Sequence, residues 1–250
     1  MQSSMFRRSR VDRVAVLVVD RGLAERLQGE RRAKAELLSA ARVLRRPVGS
    51  WDARQDVAHG RDGLGLLVVD GMIVRRVGML ARFGAELLSD GDLLQPAEQD
   101  GEGATLPFEA TWRVLSPLRL AVLDLAWMTR MSPFPEVTAE ITRRVMTRSR
   151  RLASLQAIGQ HHRLEERLQL FFWELADRYG RVRPDGIRLD LPLTHEIISH
   201  LVGAHRPSVS AALGRLAKAG QIRREGQAWL LLGHSPRLDE FHSTNPGADP

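Results

Sequence analysis

The apolar positions change their period along the chain, and each change marks a new kind of element. Val14-Ala-Val-Leu-Val-Val19 is a short β-branched run ending at Asp20, which reads as a buried strand. From Leu23 to Leu44 the apolar residues thin out to Leu27, Leu37, Leu38, Ala41 and Leu44 in a polar background, which predicts one or two helices closed by Pro47 and Gly49. Between Trp51 and Asp124 short apolar runs recur: Leu64–Val69, Met72–Val74, Ala85–Leu88, Trp112–Leu115 and Leu118–Leu123. Asp70-Gly71, Ser89–Asp92, a Gly/Glu-rich loop at 100–104 and Ser116-Pro117 separate them, the pattern of an antiparallel β-roll or barrel. Asp70-Gly71 is the best hairpin turn of the set. The interior of such a roll is a natural small-ligand pocket.

After Pro133-Phe-Pro135 the spacing becomes helical. Thr138, Ile141, Val145, Arg148, Leu152, Leu155 and Gly159 fall at steps of three and four, a seam able to face a second helix. Residues 136–160 therefore read as a dimerisation helix, the alternative being an amphipathic helix packed on its own roll. Arg143, Arg144, Arg148, Arg150 and Arg151 read as a solvated face. His161 to Tyr179 predicts a further helix burying Leu164, Leu168, Phe171, Phe172 and Leu175, broken over Gly180–Gly186, and Ile187–Leu191 alternates like a strand. Thr194 then N-caps a helix with Ile197, Ile198, Leu201 and Val202 on one face. Gly203 ends that helix, because a residue with positive φ lets two short helices meet steeply, and Val209, Leu213 and Leu216 form the inner face of the next. Gln221–Leu232 supplies a wing. The second helix, 206–219, presents Arg206, Ser208, Ser210, Ala211 and Arg215 outward, a face suited to a DNA groove.

Composition narrows the field. The 250 residues are enough for two domains, and no stretch approaches a membrane span or a signal peptide, so the chain reads as cytoplasmic with no membrane partner. Cysteine is absent, which removes disulfides, cysteine-held iron–sulfur clusters and thiol redox sensing. The net charge of +7 and pI near 11.0 come almost wholly from arginine, since Lys34 and Lys218 are the only lysines. Such a balance favours nucleic acid or another anionic surface and says nothing about fold.

The run Thr194-His-Glu-Ile-Ile-x-x-Leu-Val-Gly203, continued by Arg206-x-Ser-Val-Ser-x-x-Leu-x-Arg-Leu216 and Gly220-x-Ile222, resembles the Crp/Fnr superfamily of bacterial transcription regulators. The resemblance is specific over 190–235, one of layout over 51–189, and slight before residue 50. It implies an α+β fold: a cyclic-nucleotide-binding-like antiparallel β-roll sensor (1–135), a dimerisation helix (136–160), a C-terminal winged helix-turn-helix (161–235) and a disordered tail (236–250). It implies a homodimer on double-stranded DNA with helix 206–219 in the major groove. It also implies that activation or repression depends on operator position and on contacts with RNA polymerase. Arg206 would contact a base, for which a guanidinium matches the O6 and N7 edge of guanine. Ser208 and Ser210 would face bases or phosphates, and Thr194, His195, Arg215 and Lys218 would reach phosphates. Arg223, Arg224 and Gln227 would flank the minor groove. Pro207 stands where the family commonly has glutamate, and Ala211 where many members have a second basic residue, so the half-site should differ from the familiar one.

In the family a cyclic nucleotide is similarly held by a Gly-Glu pair followed by adjacent Arg and Ser/Thr. Here Gly91–Glu98 contains no such pair, and the next arginine, Arg113, precedes Val114. Without a cation the cyclic phosphate loses its charge-assisted hydrogen bonds, so cyclic AMP and cyclic GMP are not expected. Gly101-Glu-Gly103 lacks a P-loop lysine and reads as a plain turn. Haem could draw on His59, His161, His162 and His234, but His161-His162 sit where a helix begins and point to different faces, and His162 with Glu166 is a thin basis for a metal, so no cofactor is expected. A second reading, prompted by Pro207 and Ala211, is a ligand-binding signalling module whose winged helix contacts a protein. An enzyme is the poorest reading: there is no nucleophile elbow, metal triad or dinucleotide fingerprint, and Asp92, Glu98 and Asp124 read as turn and surface carboxylates.

Overall fold

The computed structural model describes residues 12–59, 62–79, 82–95 and 109–235. The N-terminal arm before Asp12, the 100–104 loop with Gly101–Gly103, Glu98 and the tail 236–250 lie outside the described residues. The chain divides into two compact units, Met1–Arg150 and Arg151–Pro250.

The first unit is built on a seven-stranded antiparallel sheet in the order β1-β2-β7-β4-β5, with β3 added to β7 and β6 to β4. The strands are β1 (Arg13–Ala15), β2 (Ala40–Arg46), β3 (Gly49–Trp51), β4 (Gly65–Met79), β5 (Arg82–Ser89), β6 (Leu93–Leu94) and β7 (Glu109–Leu123). One face encloses Trp51, Leu66, Val68, Ile73, Leu88, Leu94, Trp112, Val114, Leu118, Leu120 and Val122. The other face carries Ala41, Leu67, Ala121 and Leu123 under a helical layer of α1 (Val16–Val19), α2 (Gly29–Leu38), α3 (Leu125–Met131) and the start of α4 (Pro135–Gly159).

Several elements depart from the expected ones. The Val14–Val19 run is strand only to Ala15. Val16 and Leu17 then turn in a short helix into the helical layer, with the Leu17 amide donating to Ser39 Oγ at 3.2 Å, so tertiary burial overrides β propensity. The predicted helix to Leu44 stops at Leu38, and Ala40–Arg46 is β2, paired with β7 from Val43↔Ala121 to Arg46↔Leu118.

Asp70-Gly71 is not a hairpin turn. It lies inside β4, at register shifts between Val68 and Ile73, opposite Ser116-Pro117 inside β7. Gly71 has φ +104°, and a Cβ there would stand 2.4 Å from the Pro117 carbonyl oxygen, so the glycine permits a kink in two long strands. The carboxylates expected at the surface are also structural. Asp92 is buried and accepts the Ser89 amide at 2.9 Å, and Asp124 caps α3 by accepting the Trp127 amide at 2.8 Å.

The second unit packs α5 (Leu164–Tyr179), α6 (His195–Leu201) and α7 (Arg206–Lys218) with a four-stranded sheet ordered β10-β11-β9-β8. Its strands are β8 (Gly180–Arg183), β9 (Gly186–Leu189), β10 (Ile222–Glu225) and β11 (Ala228–Leu231). Leu168, Phe171, Phe172, Ile198, Leu201, Val209, Leu213, Leu216 and Trp229 are buried, and the Phe172 and Trp229 rings lie 5.1 Å apart. The expected break after Tyr179 is the β8–β9 hairpin.

Candidate nucleic-acid interface

Thr194 is the N-cap of α6, its hydroxyl accepting the Ile197 amide at 3.2 Å. The helix closes at Val202, where Gly203 takes φ +64° and the Ala204 amide reaches back to Ser199 O at 3.0 Å. That left-handed residue is the turn of the helix-turn-helix. α7 begins at Arg206, with Pro207 in its first turn, where the missing N–H has no intrahelical partner to lose. Val209, Ala212, Leu213 and Leu216 face inward, while Arg206, Pro207, Ser208, Ala211, Arg215 and Lys218 are exposed.

The predicted contact residues fall into two groups. Arg206, Ser208 and Lys218 are exposed along α7, and Arg206 pairs with no acid among the described residues. The others are engaged within the unit. His195 Nδ1 lies 2.9 Å from Ser210 Oγ, joining the first helix of the motif to the second. Burial first, then the nearby Arg224 and Arg206 charges, pull the His195 pKa below its ordinary value, so the ring is neutral at pH 7. Arg215 is ion-paired with Glu165 at the start of α5.

The wing arginines expected beside the minor groove are turned to other tasks. Arg224 folds over the Trp229 ring at 4.4 Å and donates to Leu193 O at 3.1 Å and Gly226 O at 2.8 Å, while Gln227 Oε1 accepts a longer bond from it. Arg223 pairs with Glu225 at 2.8 Å and Asp185 at 3.1 Å. Arg183 and Arg188 share Glu225, both at 3.1 Å.

Sequence reasoning missed Arg167. Its guanidinium donates to His161 O at 2.7 Å and to Val202 O at 3.1 Å, tying the segment before α5 to the end of α6. The only sequence signal was its place as the fourth residue of an amphipathic helix.

The Crp-like helix-turn-helix domain matches residues 166–240. Over 190 residues the chain is 29% identical to the CRP-like cAMP-activated global transcriptional regulator of Mycobacterium tuberculosis, covering 72% of this chain and 81% of that protein. The second unit thus carries a Crp-like helix-turn-helix domain. Solved structures agree on the fold of this chain. A CooA variant from Carboxydothermus hydrogenoformans superimposes with a TM-score of 0.66 at 19% identity, over 91% of this chain and 95% of that one. A cyclic nucleotide-binding domain containing protein from Listeria monocytogenes EGD-e gives 0.60 at 12% identity, over 75% and 87%. The α+β architecture of β-roll, long helix and winged helix-turn-helix is therefore shared with these structures, and the relative from Mycobacterium tuberculosis is a transcriptional regulator.

One core of the roll is built from Trp51, Trp112 and the aliphatic residues around them. Trp51 and Trp112 meet at 5.5 Å, Trp51 Nε1 donates to buried Asp56 at 2.9 Å, and Arg46 Nε donates to the same carboxylate at 3.0 Å. Among the described residues no group of three or more His, Asp or Glu is placed to hold a metal. It is His161, not His162, that approaches Glu166, at 3.9 Å. No described helix is long and apolar enough to cross a membrane.

Proposed function

We propose that the protein is a homodimeric, sequence-specific DNA-binding transcription regulator that inserts α7 into the major groove and does not answer to cyclic AMP. The observation that carries this reading is Arg206: a guanidinium at the exposed start of α7, with no acidic partner among the described residues. Its fork can donate two hydrogen bonds to a guanine edge. Ser208 and Lys218 lie on the same exposed helix and are the next contacts. Thr194, His195, Ser210 and Arg215 are supporting positions in this reading, because their side chains already hold the motif together.

The relative from Mycobacterium tuberculosis is described as cAMP-activated. Against carrying that ligand over stand a Gly91–Glu98 segment without a Gly-Glu pair, a next arginine, Arg113, that is followed by Val114 rather than Ser or Thr, and the Trp51–Trp112 contact in the roll's core. For the dimer, α4 offers the exposed residues Thr138, Val145, Met146 and Leu152; Ile141 and Arg148 of the expected seam are taken by the chain's own roll.

The test is selection from a random duplex library followed by mobility shift. A palindrome with half-sites about one helical turn apart is expected. Arg206→Ala should weaken the selected site by about tenfold or more, from the ~1–3 kcal/mol worth of a bidentate base contact. Unchanged affinity in that variant would remove Arg206 from the reading.

A further inference from the structure

The first half of α4 is seated on the sensor unit by two arginines one helical turn apart. Arg144 Nη2 donates to Asp20 Oδ1 at 2.9 Å, and its Nε donates to Glu140 Oε1 at 3.0 Å. The guanidinium fills a notch between two glycines distant in sequence: a Cβ on Gly22 or Gly91 would lie 2.7 or 2.9 Å from its terminal nitrogens. Arg148 grips Glu86 with Nε at 3.0 Å and Nη2 at 2.6 Å, and its Nη1 donates to Leu93 O at 2.7 Å. Glu86 is buried and is also paired with Arg75 at 2.7 Å. Between these anchors and the helix start, Val137 and Ile141 are buried in the core of the same unit. Arg143 and Arg144 together hold the Glu140 carboxyl down to about 2, so the acid on this side of the helix stays ionised.

These are shielded, multiply bonded pairs rather than surface ones. Removing one partner leaves a partly buried charge without its counterion, which is costly. The helix they hold is unbroken from Pro135 to Gly159, beginning in the sensor unit and ending in the unit that carries α7.

We propose that Arg144 and Arg148 form a built-in clasp that fixes α4 on the sensor without any small molecule, making the DNA-binding unit constitutively competent. Asp20 and Glu86 are its receptors. The part concerning DNA rests on the function proposed above, whereas the clasp itself does not.

The experiment uses the full chain, purified free of small molecules, and reads hydrogen–deuterium exchange over 136–150 together with fluorescence anisotropy on the selected duplex. Wild type should bind with an affinity that added cyclic AMP leaves unchanged. Asp20→Asn and Arg148→Lys, both mild, should each speed exchange over 136–150 by about tenfold and weaken duplex binding by about fivefold, as expected when a two-state element loses its bias. The proposal is overturned if exchange in both variants equals wild type. It is equally overturned if exchange rises while affinity holds, or if cyclic AMP raises wild-type affinity tenfold or more. If wild type selects no duplex, the DNA reading fails and constitutive competence with it; exchange then still decides whether Arg144 and Arg148 hold the helix.

Discussion

His195 illustrates how one side chain can tie stability to pH. Its imidazole is half-buried between α6 and α7, bonded to Ser210, with Arg206 and Arg224 near enough to oppose a positive charge. The folded pKa lies below the ordinary 6.5, so in acid the unfolded chain takes up the proton first. The stability conferred by the neutral ring is complete above about 6.5 and is lost as pH falls through the folded value. Thermal denaturation followed from about pH 7 to about pH 5 should therefore show a shallower loss in His195→Gln than in wild type. Parallel profiles would mean that His195 carries none of the acid sensitivity. Asp92 and Asp124 make a related point about acids. Each looked like an ordinary turn or surface residue in sequence, yet each satisfies a buried or capping donor. A carboxylate's partners are set by which strands meet, which local spacing does not encode.

At the scale of elements, legibility followed the distance over which each was decided. The helix-turn-helix could be read because its determinants are local: Thr194 caps, Gly203 breaks and the apolar faces repeat within about a dozen residues on each side. Gly203 has open space around it, so its requirement is conformational rather than steric. Gly203→Ala should cost about 1–2 kcal/mol from the left-handed penalty, and Gly203→Asn less. Urea denaturation would register this as a lower midpoint at unchanged slope, and equal midpoints for all three chains would dismiss the turn as the reason for glycine. The roll was misread for the opposite reason. Asp70-Gly71 and Ser116-Pro117 carry turn chemistry, but they face one another across β4 and β7, where paired irregularities bend long strands instead of ending them. The arginines of α4 were equally opaque. Arg148 and Arg144 find acids 62 and 124 residues away, so a run that reads as a solvated face is largely spoken for.

For the whole molecule, pairing of this kind changes what a net charge of +7 means. Arg183, Arg188 and Arg223 interlock with Asp185, Asp190 and Glu225 across the wing sheet, leaving Arg206 and Lys218 prominent on the proposed reading face. Assembly has its own focus on α4. Val145 and Met146 are exposed apolar residues, 47% and 61% accessible, beside the two arginines held by the first unit. On the proposed dimer, wild type should sediment as a dimer and Met146→Glu as a monomer at the same concentration; an unchanged sedimentation coefficient would place the dimer contact elsewhere.

The kinked pairing of β4 with β7 bears, finally, on how the protein is made. β4 lies between β5 and β7, and its register with β7 runs from Gly65↔Leu123 to Gly78↔Glu109. On the ribosome β5 follows β4 almost at once and closes one edge as a hairpin. The other edge, bearing Leu66, Leu67, Val68, Ile73 and Val74, waits until β7 has been synthesised. For that interval the nascent chain presents an apolar strand with an open ladder, the form most prone to pairing with a neighbour's strand. Production of this protein should thus be limited by the passage of residues 65–123 through synthesis: chaperone cover over that stretch should raise the soluble yield, and slower translation between β4 and β7 should lower it.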